Sequence, residues 1–194
     1  MSAALHAMKV IAGLDEAETQ TTPAERELLV THLPGAGLIV EIGVFEGRTT
    51  QDLLRHADEG AVVYGVDPFF RGRLGVCWSL VISKHGNRDA IGQGRLKLVR
   101  AFSTEVGTSV PAEVDFVFLD GDHSLEGITA DWKFWADRVP VGGKIALHDV
   151  VVPKHNPRVA GFGSHQYFES HISKDARFTR AGSVDSVVVL ERVA

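Results

Sequence analysis

The sequence predicts an α/β fold in which a mostly parallel sheet is covered by helices on both faces. Short apolar runs of strand length alternate with helical segments along most of the 194-residue chain. These runs are continuously apolar, as is typical of strands buried on both faces. The chain is 44% hydrophobic and is long enough for one packed core but short for two. We therefore expect residues 1–194 to form a single domain, with a helical segment over 1–34 and the α/β core over 35–194.

The first predicted element is a helix over residues 23–33, since Thr22 is a suitable N-cap and Pro23 is favoured in a first turn. Short apolar runs predict strands over 38–43, 62–67, 96–100, 114–120 and 144–150. Helices are predicted between them over 49–57, 74–91 and 124–139. The last of these helices has an apolar side formed by Leu125, Ile128, Trp132, Trp135 and Val139, and we expect both tryptophans in the core.

The C-terminal part of the sequence predicts a loop and a helix over 151–172, followed by two strands over 176–182 and 186–193. The two strands are expected to pair as a hairpin, because only a short turn separates them. The core therefore contains seven predicted strands.

Composition limits the partners and the compartment. The net charge is −5 and the pI is about 6.0, so bulk electrostatics give no reason to expect a nucleic-acid or membrane partner. No apolar run approaches the ~20 residues of a membrane span, and the N-terminus lacks the pattern of a signal peptide. Cys77 is the only cysteine, which excludes an internal disulfide and fits a reducing compartment. We expect a cytoplasmic protein.

Polar residues collect where the predicted strands end. They are Glu41, Asp67, Ser103, Asp120, Asp122, His123, His148 and Asp149. In open parallel sheets, ligands bind outside the carboxyl ends of the strands. Five carboxylates and two histidines at one edge of a sheet exceed what caps and turns require, so this edge is the predicted functional site.

The first strand ends in EIGVFEG, with glycines at 43 and 47, and Asp67 ends the second strand. A carboxylate there can accept hydrogen bonds from two ribose hydroxyls. The dinucleotide fingerprint G-x-G-x-x-G is absent, and Glu41 and Glu46 beside the turn would repel a phosphate. A cationic, phosphate-free cofactor fits better, and S-adenosylmethionine (SAM) is such a molecule. An NAD-type oxidoreductase is the less favoured alternative.

The segments LIVEIGVFEGRTT, VVYGVDPF and FVFLDGDHSLEGITADWKFWADRVPVGGKIALHDV together resemble the class I SAM-dependent methyltransferases. They are most similar to small bacterial O-methyltransferases with an E-I-G-x-x-x-G turn, a D-G-x-H element and a terminal H-D. The resemblance implies a Rossmann-like three-layer αβα sandwich. Its mostly parallel seven-stranded sheet has a C-terminal antiparallel hairpin, with the last strand inserted beside the sixth.

The resemblance also implies which residues bind the cofactor. Glu41 and Gly43 would border the methionine end of SAM, and Asp67 would bind the ribose. Ser103 matches a position beside the adenine, although an ordinary helix cap is an alternative for it. Gly47 in the first turn and Asp120 at the end of the fourth strand complete the predicted cofactor-binding residues.

In metal-dependent relatives, the positions that match Asp120, His148 and Asp149 bind a divalent cation, and the position of His123 holds the general base. Catechol-type enzymes have Asp-Asn where this chain has His148-Asp149. Two carboxylates and an imidazole suit Mn²⁺, Fe²⁺ or Zn²⁺ at least as well as Mg²⁺. Alternatively, His148 faces the substrate or packs in the core, and no metal binds. For Asp122 we predict a helix N-cap.

The sequence thus predicts a SAM-dependent methyltransferase that O-methylates a small hydroxylated molecule, with a divalent metal (Mg²⁺ or Mn²⁺) as a second cofactor. The resemblance also implies a homodimer. A non-catalytic protein that binds SAM or a nucleotide is an alternative. Long segments without a motif border the predicted site, so the acceptor is left open.

Overall fold

The computed structural model of the protein describes residues 2–72 and 75–194. Seven strands form one sheet: β1 (Leu38–Ile42), β2 (Val62–Asp67), β3 (Leu96–Arg100), β4 (Phe116–Leu119), β5 (Lys144–Leu147), β6 (Phe178–Val184) and β7 (Val187–Arg192). Their order across the sheet is β3-β2-β1-β4-β5-β7-β6. All pairs from β3 to β5 are parallel, whereas β7 is antiparallel to both of its neighbours. The predicted fold class is confirmed.

Seven α-helices accompany the sheet in the described part of the chain. They are α1 (Ala3–Ile11), α2 (Pro23–Thr31), α3 (Arg48–His56), α4 (Trp78–Gly86), α5 (Arg88–Gly92), α6 (Leu125–Trp135) and α7 (Gly163–Ser170). None of the described helices is long and apolar enough to cross a membrane.

The central strands are buried on both faces because each is covered by helices. Along β1, Ile39 belongs to one apolar cluster and Val40 to another, as expected when successive side chains point to opposite faces. Trp132 and Trp135 lie in the core, as predicted, but Leu125 is 52% exposed and does not belong to that face of α6. It stands at the first residue of the helix, where it projects beyond the sheet.

The sequence did not single out α1, and one predicted helix is divided in two. Residues 74–91 were expected to form a single helix. Leu74 lies outside the described residues, residues 75–77 are not helical, and the rest is divided between α4 and α5. Asn87 separates them, because its buried side-chain amide donates to the Ser83 carbonyl at 2.9 Å and to the Gly47 carbonyl at 3.4 Å. The hydrogen bond to Gly47, the N-cap residue of α3, favours a non-helical backbone at Asn87.

The N-terminal segment is fixed to the core by the start of α2. Thr22 and Glu25 form a reciprocal capping box, as the T-x-x-E spacing favours. The Thr22 hydroxyl also donates to Asp185 in the β6–β7 turn at 2.8 Å. Helix α2 therefore begins against the C-terminal hairpin, and this contact brings residues distant in sequence to the carboxyl ends of the strands.

Gly43 permits the closest backbone approach at this edge of the sheet. It follows β1 with a φ of +89°, and a Cβ atom there would lie 1.9 Å from the Asp120 carbonyl oxygen. Because β1 lies between β2 and β4, the turn after β1 stands at the topological switch point, where the strand order reverses. A side chain at this position would push apart the ends of β1 and β4.

We predict that Gly43→Ala destabilises the protein by roughly 3 kcal/mol or more, because strain and a backbone clash add. Gly35→Ala is the matched control: Gly35 has a φ of +83°, but a Cβ there would have nothing within 4 Å. Strain alone should cost about 1–2 kcal/mol at Gly35. Urea unfolding measures the free energy of unfolding of both variants. Equal decreases would show that the close approach to Asp120 adds nothing to the cost of a side chain at position 43.

Candidate functional site

A cavity of about 760 Å³ opens at the carboxyl ends of β1, β2 and β4. We call it the strand-end cavity. Of the predicted site residues, Gly43, Asp67, Ser103, Asp120 and His123 line it. The topology alone explains this grouping, since parallel strands that neighbour one another place their carboxyl ends together.

Asp67 links the turn after β1 to the end of β2. One carboxylate oxygen accepts hydrogen bonds from the backbone N–H groups of Val44 and Phe45, both at 3.1 Å, and the other accepts from Phe69 N–H at 2.6 Å. Each oxygen of a carboxylate can accept more than one bond. Asp67 is therefore held rigidly and can still accept hydrogen bonds from a ligand in the cavity.

Ser103 lines the cavity at the start of a short 3₁₀ helix after β3. Its hydroxyl accepts a hydrogen bond from the Trp135 indole N–H at 2.8 Å. Within the described part of the chain, the short 3₁₀ helix that Ser103 begins has no side-chain cap, so the alternative role as a helix cap is wrong. Asp131, which the sequence analysis did not single out, lines the cavity beside Ser103. Burial raises the pKa of Asp131 to about 6.

Glu41 lies beneath the cavity rather than on its wall. It is 0% exposed, and one carboxylate oxygen accepts a 2.5 Å hydrogen bond from the Thr50 hydroxyl of α3. Among the described residues the other oxygen has no hydrogen-bond partner. Burial, together with the nearby charges of Asp120 and Asp67, raises the pKa of Glu41 to about 8. The contact of Glu41 with the methionine end of SAM is still a prediction.

Gly47 faces α4 rather than the cavity. It has a φ of +79°, and a Cβ there would lie 2.6 Å from the Ser83 hydroxyl oxygen and 2.8 Å from the Asn87 amide nitrogen. Packing therefore explains why a glycine stands here: the first turn approaches α4 too closely for a side chain. Gly47 is not among the residues that line the cavity, and its part in cofactor binding is still a prediction.

Asp120, His123, His148 and Asp149 form a compact cluster beside the cavity. Nδ1 of His148 lies 2.8 Å from Oδ1 of Asp120 and 3.7 Å from Oδ2 of Asp149. Nε2 of His123 lies 3.5 Å from the same Asp120 oxygen, and its Nδ1 lies 3.9 Å from Oδ2 of Asp149. The two imidazoles meet edge to face with centroids 5.8 Å apart. The residues that the sequence placed at two strand ends thus come together.

Charge pairing determines the ionisation of this cluster. Burial alone would raise the pKa of Asp120, but the imidazoles of His148 and His123 hold it below its usual value. Burial likewise opposes a charge on His148, yet Asp120, Glu25 and Asp149 raise the pKa of His148 to about 10. In the metal-free protein His148 is therefore an imidazolium compensated by buried carboxylates.

Glu25 is a member of this environment that the sequence analysis missed. It is 1% exposed, and its Oε2 lies 3.6 Å from Nε2 of His148. Burial would raise the pKa of Glu25, but the nearby His148 imidazole and the hydrogen bonds from Ser186 and the Thr22 backbone lower it to about 2. The only pattern in the sequence that involves Glu25 is the capping box. That pattern indicates where a helix starts and says nothing about a contact with the end of β5.

The cluster fits a divalent cation by its donor set. Nδ1 of His148 is buried and lies 2.8 Å from Oδ1 of Asp120, but the contact lacks hydrogen-bond geometry, and Nδ1 has no other hydrogen-bond partner among the described residues. Donor atoms of Asp120, His123 and His148 all lie within 4.8 Å of one another. An imidazole nitrogen surrounded by carboxylate oxygens suits Mn²⁺ or Zn²⁺. His123 is thus placed among the candidate ligands as well as in its predicted position as a base.

Asp122 does not cap α6, so that prediction was wrong. Ser124 is the N-cap, and its hydroxyl oxygen accepts from Gly127 N–H at 3.0 Å. The Asp122 carboxylate instead accepts from the backbone N–H and the hydroxyl of Ser124, both at 2.9 Å. A serine two residues later meets the helix end directly, and Asp122 orients it.

The N-terminal segment closes one side of the cavity with residues 18–20. Nε2 of His6 in α1 lies 3.0 Å from Oε2 of Glu46, and Glu18 N–H donates to the same oxygen at 2.6 Å. The contact with Glu46 raises the pKa of His6. Glu46 therefore anchors the segment to the turn after β1, a contact that no local pattern predicts.

Comparison with known proteins shows the family to which the chain belongs. A family model described as a methyltransferase domain matches residues 40–150, more than half of the chain. An O-methyltransferase from Bacillus cereus, solved in complex with SAH, matches 99% of this chain and 91% of its own with a TM-score of 0.67 and 19% identity. An SAH-bound methyltransferase from Podospora anserina matches 99% and 88%, with a TM-score of 0.69 and 14% identity.

A third solved structure has a different acceptor class. An rRNA methylase from Streptococcus thermophilus matches 91% of this chain and 100% of its own, with a TM-score of 0.61 and 16% identity. Identities this low show a shared fold. The acceptor has to be inferred from the residues of this chain.

We predict that Glu41 makes stability depend on pH. Its pKa rises from an ordinary value of 4.5 to about 8 on folding, so the folded state binds this proton more tightly than the unfolded chain. The resulting stability is present below pH 4.5 and lost as the pH rises through about 8. The loss is at most about 1.4 kcal/mol per pH unit.

Urea unfolding across this pH range checks the prediction, with Glu41→Gln as the comparison. Gln cannot ionise, so its free energy of unfolding should fall less than that of the wild type over the same interval. Identical slopes for the two proteins would mean that Glu41 ionises normally in the folded state.

Proposed function

The chain belongs to the methyltransferase-domain family, and from that premise we propose that it transfers a methyl group from SAM to a hydroxyl of a small molecule. The observation that supports O-methylation most directly is the position of His123. Its ring stands on the wall of the strand-end cavity, between the carboxylates of Asp120 and Asp149. This is where an acceptor hydroxyl beside the cofactor would have to lose its proton.

The strand-end cavity suits the parts of SAM, which supplies a methyl group bound to a positively charged sulfur. Asp67 has the capacity to accept hydrogen bonds from ribose hydroxyls. Ser103 and Asp131 offer polar groups on the cavity wall, where we propose that the adenine binds. Gly43 leaves the cavity open at the turn after β1, because no side chain extends from it.

His123 is proposed as the general base. An imidazole near neutral pH can accept a hydroxyl proton, and adjacent carboxylates stabilise the imidazolium that forms. The ring is held in place by Phe162, whose centroid lies 5.7 Å away. The deprotonated oxygen then attacks the methyl carbon in line with the departing sulfur. No covalent bond to the enzyme is needed, so positioning supplies much of the rate.

Asp120, His148 and Asp149 are proposed to hold a divalent cation. A cation at this place stabilises negative charge on the acceptor oxygen. Asp149 has a left-handed backbone with a φ of 54°, which turns its carboxylate toward both histidines. In the metal-free protein, His148 lies between the carboxylates of Asp120 and Asp149.

We propose a small acceptor rather than a nucleic acid on grounds of charge. Six carboxylates line the strand-end cavity: Glu18, Asp67, Glu105, Asp120, Asp122 and Asp131. The basic side chain on the described wall, Arg48, is paired with Glu16 at 3.2 Å. A phosphate-bearing acceptor would meet repulsion in such a cavity.

Two further expectations concern compartment and assembly. The single, buried Cys77 needs no oxidising environment, in keeping with the expected cytoplasmic location. The homodimer is implied by the resemblance to related enzymes. Both are still predictions from the sequence.

We predict that Asp67→Asn and His123→Ala separate binding from chemistry. Asp67→Asn should weaken SAM affinity roughly tenfold or more, since each charged hydrogen bond is worth about 1.5–3 kcal/mol. His123→Ala should keep SAM affinity and lower turnover about 10²–10⁴-fold. Calorimetric titration with SAM and a methyl-transfer assay on a panel of hydroxylated small molecules measure the two quantities.

His56→Ala is the control for the histidine change, because His56 is exposed at the end of α3, away from the cavity. It should leave both quantities unchanged. If Asp67→Asn and His123→Ala lose SAM affinity equally, the assigned roles are wrong.

We predict that metal-stripped protein binds Mn²⁺ and that Asp149→Asn weakens this binding roughly tenfold or more. Asn tolerates a left-handed backbone well, so the substitution removes the charge with little strain. Asp185→Asn is the matched control, because Asp185 also has a positive φ, 49°, but lies in the β6–β7 turn. Calorimetry gives both affinities, and equal affinities in the two variants would exclude Asp149 as a ligand.

A further inference from the structure

We propose that Glu25, from the N-terminal helix α2, is a positioning residue that fixes both His148 and Asp149 at the end of β5. This inference rests on the proposed function, which gives these two residues their role. It assigns to the N-terminal segment a direct part in the geometry of the strand-end site. The methyltransferase-domain match begins at residue 40, so Glu25 lies outside it.

The two oxygens of Glu25 are used by different elements. Oε1 accepts hydrogen bonds from the backbone N–H of Ser186 at 2.9 Å and from its hydroxyl at 2.6 Å. Oε2 accepts from the Thr22 backbone N–H at 2.7 Å and faces Nε2 of His148 at 3.6 Å. Helix α2, the β6–β7 turn and β5 therefore meet at one buried carboxylate.

Ser186 extends the effect of Glu25 to Asp149. The Ser186 hydroxyl, which donates to Glu25, also accepts from Asp149 N–H at 3.4 Å. The Ser186 carbonyl accepts from Val150 N–H at 3.1 Å and from Val151 N–H at 3.3 Å. These bonds hold the backbone just after β5, where Asp149 takes its left-handed conformation. Glu25 thus acts on His148 directly and on Asp149 through one serine.

A helix-capping role alone does not explain this burial. A capping-box glutamate needs one oxygen for the backbone N–H of the N-cap residue and ordinarily stands at the protein surface. Glu25 is 1% exposed, and His148 is 4% exposed. Burying a carboxylate is costly unless it is paired and hydrogen-bonded. The pairing with His148 and Ser186 meets that cost, and it leaves Nδ1 of His148 directed at Asp120.

The arrangement matches a general requirement of metal and catalytic histidines. Such a ring needs a partner on its second nitrogen to set its orientation, and loss of that partner lowers metal affinity about 10- to 100-fold. In this chain the partner comes from α2, 123 positions before His148. The contact forms only when the N-terminal segment is packed against the hairpin.

The test compares Glu25→Gln with Thr22→Ala. Both weaken the same capping box, but Thr22→Ala leaves the Glu25 carboxylate and its contact with His148 in place. Two properties of metal-stripped protein are measured: Mn²⁺ affinity by calorimetry and the imidazole ¹⁵N–¹H spectrum of His148, assigned with His148→Gln. Urea unfolding reports the stability lost in each variant.

We expect Glu25→Gln to weaken Mn²⁺ binding about 10- to 100-fold and to shift the ring signals of His148. Thr22→Ala should lose stability, about 1 kcal/mol, and retain both properties. Ring signals of His148 that are unchanged in Glu25→Gln would overturn the inference. So would equal shifts in the two variants, since these would reduce Glu25 to a helix cap.

The failure of the proposed metal site is a separate outcome. If wild-type protein binds no Mn²⁺, metal assistance is withdrawn, and the ring spectrum alone decides the role of Glu25. If Mn²⁺ binds equally to the wild type and to Glu25→Gln, the metal site stands and the positioning role is wrong.

Discussion

The close approach of the turn after β1 to the end of β4 is the constraint on which the site depends. Gly43 meets the Asp120 carbonyl with no room for a side chain, so the turn proposed to bind the cofactor and the cluster proposed to hold the metal and the base share one boundary. A methyl group can be transferred directly only if its donor and acceptor lie within bonding distance of each other. The fold places β1 between β2 and β4. This is the topological switch point, where ligands bind in such sheets.

Charge compensation is the second constraint. His148 and Glu25 are both nearly inaccessible to water, and each would be costly to bury alone. His148 lies between the carboxylates of Glu25 and Asp120, and the Glu25 carboxylate also accepts hydrogen bonds from Thr22 and Ser186. Glu41 differs: within the described part of the chain it is buried without a cationic partner, so its pKa rises instead. The same edge of the sheet thus contains an ionised network and, one layer beneath it, a carboxyl group that is neutral near pH 7.

The family match confirms the resemblance to SAM-dependent methyltransferases, which rested on combined motifs rather than on any one of them. The G-x-x-x-G turn by itself is weak, and the structure gives Gly47 a packing reason against α4. The acidic residue at the end of β2 and the D-G-x-H element were more informative, because Asp67, Asp120 and His123 all line the strand-end cavity. Relatives of similar fold include an rRNA methylase, so the acceptor class is inferred from cavity charge rather than from likeness.

The sequence by itself determined the number of strands, the mostly parallel sheet covered by helices, and the edge at which polar residues meet. Apolar runs and strand-end carboxylates are local signals, so they can be recognised without the tertiary structure. It could not determine which side chains turn into the cavity, and it placed Glu41 there although the carboxylate bonds to Thr50. Only the tertiary structure brought Glu25 to His148, and His6 to Glu46. These contacts join segments far apart along the chain. Their positions follow from how α1 and α2 pack against the completed sheet, which no local sequence pattern encodes.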